Sequence, residues 1–133
     1  MVLHFVNPDA LGQPSGYSNG VIAPPGARLL FIAGQIAWDG EQRIVSRDFA
    51  EQFERALSNV IAVVKEAGGK PENLARILIY VTDKREYLAS QHEVGQRWRT
   101  LMGRHFPAMA LVEVKSLLAD DAKVEIEGIA VLE

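Results

Sequence analysis

Apolar and polar residues alternate through two segments near the end of the chain, Phe106 to Val114 and Val124 to Ala130, and a period of two predicts a strand in each. Leu111 and Glu113 share one face of the first. Glu125, Glu127 and Ile129 share one face of the second. Assigning Ala110, Val112 and Val114 with Val124, Ile126 and Ala130 to a surface covered by helices collects the carboxylates on the other side. A sheet face rich in glutamate must meet water, a cation or a polar ligand.

A period of three to four takes over elsewhere. Phe49, Phe53, Ala56, Leu57, Val60 and Val64 make one stripe of a helix that Ser46 or Asp48 can cap and Gly68-Gly69 can end. Asp83 with Glu86 has capping-box spacing and predicts a second helix running to about Met102, with Tyr87, Val94, Trp98, Leu101 and Met102 as its stripe. At 100° per residue Gln91 falls inside that stripe, where its amide must orient a ligand or be satisfied within an interface. Ile77 to Val81 is apolar throughout, which predicts a central strand covered on both faces.

Upstream, Leu3 to Val6, Gly20 to Ala23 and Arg28 to Ala37 read as strands, separated by a loop through Gly16 and a turn at Pro24-Pro25-Gly26. Asp39-Gly40 suggests a hairpin with Gln42 to Val45 as its return strand. The order is strands, helix, strand, helix, two strands: an α+β layer of about six strands in a mixed sheet with both helices on one face. Two helices cannot cover both faces, so a partner subunit is the simplest cover for the second.

Length and composition narrow the function. The 133 residues, 48% of them hydrophobic, suit a single domain over 1–133 with a hydrophobic core of its own. A net charge of −3 with scattered Lys and Arg gives no footprint for nucleic acid. With no Cys, disulfides, thiolate metal sites and cysteine nucleophiles are excluded. The N-terminal segment lacks signal-peptide features, and no stretch approaches the roughly 20 apolar residues of a membrane span, so a cytoplasmic protein is expected. His4, His92 and His105 lack metal-ligand spacing, His105 reads as a surface or loop residue, and no Ser-His-acid order or phosphate-binding glycine motif is present.

Phe106-Pro107-Ala108 leading to Val112-Glu113-Val114, with Glu125-Ile126-Glu127-Gly128-Ile129-Ala130, resembles the closing signature of the RidA/YjgF family. Tyr17 followed by Gly20, Ala33-Gly34-Gln35-Ile36, Leu57-Ser58-Asn59-Val60 and Tyr80-Val81-Thr82-Asp83 fall in the same order, so the resemblance spans almost the whole chain. It implies a chorismate-mutase-like α+β fold and a homotrimer with a small-molecule cleft between neighbouring subunits. It also implies hydrolysis of reactive enamines or imines to 2-oxo acids and ammonia, without a cofactor. Tyr17 matches the family's cleft-lining Tyr and Glu125 its water-positioning Glu.

Other positions depart from the family's pattern. Met109 stands where an Arg clamps the substrate carboxylate, Ala33 replaces a Ser, Gln91 an Asn, and Leu111 a Cys, with Ala110 between Met109 and Leu111 as a further lining residue. An Arg holding a carboxylate contributes charge-assisted hydrogen bonds worth about 1.5 to 3 kcal/mol each, and a thioether supplies neither charge nor donor. Unless Arg28, Arg104 or another cation enters the cleft, it is expected to favour a neutral or cationic ligand with an apolar part against Met109 and Leu111. The expected function is a deaminase-like hydrolase with altered substrate preference. A binding trimer that has lost the reaction, or a chaperone-like interaction role, would use the same scaffold. Glu113 and Glu127 read as structural or as facing a water-filled axis, and Trp38 and Trp98 as core or interface residues.

Overall fold

The computed structural model describes residues 3–133; Met1 and Val2, which open the N-terminal segment considered above, lie outside them. The described residues form six strands, divided between a two-stranded ribbon and a four-stranded sheet. β1 (His4–Val6) and β2 (Gly20–Ile22) pair antiparallel in the ribbon. β3 (Arg28–Gln35), β4 (Leu74–Val81), β5 (Ala108–Glu113) and β6 (Val124–Leu132) make the sheet in the order β3-β6-β4-β5. It is mixed: β4 and β5 run parallel, whereas β6 is antiparallel to both of its neighbours.

Three α-helices accompany them among the described residues: α1 (Phe49–Glu66), α2 (Lys84–Ala89) and α3 (Gln91–Met102). The Asp48 carboxylate caps α1 by accepting the Glu51 N–H at 3.0 Å. The predicted stripe of α1 is buried and shares one core with Ile32, Ile77, Ile79, Val81, Val124, Ile126 and Ala130 of the sheet. One polar side chain is enclosed with it. The Gln52 amide donates to Ser46 O and Asp121 O and accepts from Lys123 N at 2.9 to 3.0 Å, so every polar atom is paired and the approach to β6 is fixed.

Three local expectations are corrected. The second helix is broken at Ser90, whose φ of −106° and ψ of 8° end α2 and begin α3. The Asp39-Gly40 hairpin is reduced to a single Trp38–Ile44 bridge. Asp39 is the reason: its carboxylate accepts the N–H groups of Glu41 and Arg43, building a wider turn in which Gln42 takes a φ of 61°. His105 lies in the loop before β5, as one of the two expected settings has it, but it is buried and not at the surface. Its ring nitrogen Nε2 lies 2.6 Å from Leu74 O, its ring meets Phe5 edge-on, and its carbonyl accepts from the indole of Trp98, which packs in the core.

A fourth correction concerns the faces of β5. In the parallel register Ile77 stands beside Met109, Ile79 beside Leu111 and Val81 beside Glu113. Met109, Leu111 and Glu113 therefore share the helix-covered face, while Ala108, Ala110 and Val112 lie on the open one. Glu113 is separated from Glu125 and Glu127 and accepts the Lys84 N–H at 2.9 Å at the start of α2. Alternation defines two faces but not which one turns inward; β5 is apolar on both, and its partner strand decides.

Candidate functional site

Among the described residues no helix covers the second face of the sheet. Leu29 and Phe31 of β3, 55% and 71% exposed, lie there with Ile129, Leu78, Val112 and the carboxylates of Glu125 and Glu127. Tyr80 is paired with Glu125 across β4 and β6, and its hydroxyl donates to Glu127 Oε1 at 2.5 Å. That hydrogen bond, then partial desolvation, then the charges of Glu127 and Glu125 raise the Tyr80 phenol above the ordinary value of 10.0. Glu127 is thus a structural acceptor.

Glu125 has no hydrogen-bond or ion-pair partner among the described residues. Its carboxylate rests against the backbone of Gly34, where an added Cβ would lie 2.7 Å from Cδ and Oε2. Gly34 follows Ala33 in the stretch of β3 where the register slips between Ile32 and Gln35. A glycine and an irregular strand together make room for the acid. Ala33 is exposed beside it.

Of the other predicted residues, Met109 and Gln91 line a cavity of about 390 Å³ between α3 and the edge of the sheet. Phe53, Ile79, Trp98, Phe106 and Met109 form its apolar wall, and Ser15 and Gly16 close one side. The loop carrying them is stitched to β5: Ser18 donates through its hydroxyl to Phe106 O and through its N–H to Pro107 O, and bridges to Ala108. Tyr17, at the end of this loop, is 39% exposed, and its hydroxyl has no hydrogen-bond partner among the described residues. Leu111 packs against the core and Ala110 is exposed on the open face.

Gln91 lines the mouth of this cavity and is exposed: it stays in phase with Val94, Trp98 and Met102, but as the first residue of α3 it lies at the end of the stripe and not within it. Gly95 and Arg99 follow it along the same edge. Neither drew attention in the sequence, although the i, i+4, i+8 spacing of Gln91, Gly95 and Arg99 is a readable signal. Arg28 and Arg104 do not line the cavity. Arg28 donates to Glu133 O at 2.8 Å, and Arg104 borders a separate recess with Phe5 and His105.

The predicted site residues therefore fall into two groups. Glu125 and Ala33 belong to the open face, Met109 and Gln91 to the helix side, and β4 separates Glu125 from Met109. Among the described residues no cluster of His, Asp or Glu could hold a metal ion, and no helix is long and apolar enough to cross a membrane.

Known proteins share both sequence and fold with this chain. A family profile described as Endoribonuclease L-PSP matches residues 8–132. A RutC family protein of Pyrococcus abyssi is 35% identical over 103 residues, covering 77% of each chain. A protein of Salmonella typhimurium named 2-iminobutanoate/2-iminopropanoate deaminase is 33% identical over 103 residues, 77% of this chain and 79% of that one. Among solved structures, a protein of unknown function of the conserved Rid family from Yersinia pestis superposes with a TM-score of 0.87 at 28% identity, over 99% of this chain and 100% of that one.

Proposed function

The chain belongs to the RidA/YjgF family, and from that membership we propose that it hydrolyses reactive enamine or imine metabolites in clefts between the subunits of a homotrimer. The observation that carries this reading is the unpaired Glu125 carboxylate, seated over Gly34 on a sheet face rich in exposed apolar side chains. Packing that face against a neighbouring copy would bury Leu29 and Phe31, and would let the open-face half-site of one subunit meet the helix-side half-site of another.

In this mechanism Glu125 accepts a proton from water as the water oxygen bonds to the carbon of the protonated imine, and the C=N π pair moves to nitrogen to give a neutral carbinolamine with its amino group on a tetrahedral centre. The proton then passes from Glu125 to that nitrogen. The C–N bond breaks, ammonia leaves with the bonding pair, and loss of the hydroxyl proton yields the carbonyl product. Tyr17 orients the ligand at the mouth of the cleft, and the uncharged Met109 shifts preference away from small imino acids.

Imines generated in situ by amino-acid and amine oxidases provide the test, with ammonia release as the readout. Wild type should accelerate release, and Glu125→Gln should reduce that acceleration by about 100-fold or more. No acceleration with any imine would instead favour a ligand-binding trimer without catalysis, the reading to which Met109 lends weight.

A further inference from the structure

The cavity beside Met109 does contain a cation: Arg99 reaches its rim from α3. Its neighbour in sequence type, Arg97, is held by Glu54 at 3.2 Å, whereas the Arg99 guanidinium has no hydrogen-bond or ion-pair partner among the described residues. An unpaired guanidinium presents up to five N–H donors in a planar fork that suits a carboxylate. Gln91 stands two helical turns away on the same edge, about 12 Å along the axis at 1.5 Å per residue. Between them is Gly95.

Gly95 is informative because glycine weakens a helix interior. A Cβ built on it meets nothing within 4 Å, so no close packing excludes a side chain there. The absence of one opens the cavity mouth between Gln91 and Arg99. Below that mouth the wall is apolar, formed by Phe53, Ile79, Trp98 and Met109. The volume of about 390 Å³ can take an aromatic or branched aliphatic group, far more than a methyl or ethyl side chain requires.

We propose that Arg99 is the carboxylate anchor of this cleft, and that the preferred ligands are carboxylates bearing a large apolar group that enters past Gly95 and packs on Met109. Within the hydrolase reading, on which the substrate class rests, these are 2-imino acids with aromatic or branched side chains. Met109 then supplies the apolar wall, and the anchoring charge comes from α3. This replaces the expectation of a neutral or cationic ligand.

The test uses unreactive probes, so that binding is measured apart from turnover. Calorimetric titration of the intact protein with 3-phenylpropanoate, 3-phenylpropanamide and acetate should give the carboxylate at least tenfold tighter binding than its amide, and acetate the weakest. Arg99→Gln should remove the carboxylate advantage and leave amide affinity unchanged, with Arg99→Lys intermediate. Gly95→Leu should weaken both aromatic probes at least tenfold by filling the mouth; circular dichroism and thermal melting confirm that each variant remains folded. Equal affinities of wild type and Arg99→Gln for 3-phenylpropanoate, no wild-type preference for it over its amide, or acetate binding as tightly, would overturn the proposal. The same variants separate it from catalysis. Arg99-dependent binding without hydrolysis of the phenylalanine-derived imine would defeat the hydrolase reading and keep the anchor. Hydrolysis with an unchanged preference between phenylalanine- and alanine-derived imines in Arg99→Gln would defeat the anchor and keep the hydrolase.

Discussion

The two faces of the four-stranded sheet come from the same strands yet differ in kind. On the covered face Ile77, Ile79, Val81, Val124, Ile126 and Ala130 meet α1 in an apolar contact. On the open face Phe31, Leu78 and Val112 alternate with Tyr80, Glu125 and Glu127. The first has the composition of a core. The second is too apolar for a solvent face and too acidic for a core, a mixture that fits contact with another copy around a polar cleft. The two glycines beside the strand contacts mark the same division: Gly128 admits a neighbouring backbone on the covered side, and Gly34 admits a carboxylate on the open side.

Breaking the covered face should have the largest effect. At Gly128 an added Cβ would lie 2.8 Å from the backbone oxygen of Arg76, which cannot swing aside, so Gly128→Val should lower stability by about 3 kcal/mol or more in urea denaturation. A change confined to the open face should separate assembly from folding. Phe31→Asp is expected to dissociate the proposed trimer to single chains in sedimentation while the helical circular dichroism persists; an unchanged sedimentation coefficient would remove this face from the interface.

Gly34→Ala acts more locally, because the atoms in its way are the flexible end of Glu125. Ammonia release should fall about tenfold as the carboxylate is displaced, with stability altered by less than about 1 kcal/mol. Retention of full activity would show that the seat of Glu125 does not matter.

The smallest effect is a pH dependence. Because the folded state raises the Tyr80 phenol, its contribution is fully present below the unfolded value near 10.0 and is lost as pH rises through the folded value. Stability of wild type should therefore decline more steeply than that of Tyr80→Phe above about pH 10. Parallel curves would mean that the Tyr80–Glu127 hydrogen bond at 2.5 Å does not persist in solution.

Much of this architecture is legible in the sequence because it rests on local periodicity. The α1 stripe, the strand at Ile77 to Val81, the helix start at Asp83 and the α+β order all follow from spacing. What escaped depends on neighbours distant in the chain. The inward face of β5 is chosen by the parallel register with β4, and burial of His105 follows from the Leu74 carbonyl. Gln91 is exposed at the cavity mouth because the break at Ser90 makes it the first residue of α3. Glu125 was visible as an acid in a strand, but its seat on Gly34 joins residues ninety-one positions apart. Arg99 was hidden among surface charges, since nothing local distinguishes a cation at a cavity rim from one in solvent.

The place of β6 in the sheet governs the order in which the fold can assemble. As the last strand in the sequence it lies between β3 and β4, and β3 has no other partner in the four-stranded sheet. Arg28 must therefore wait for Leu132, a loop closure of 104 residues, before the first sheet strand is fixed. Local helix formation in α1 and the β4–β5 pairing can precede that step, but neither supplies the missing centre. Folding should be slowed by this non-local pairing, with β3 left unpaired in the sheet until β6 inserts.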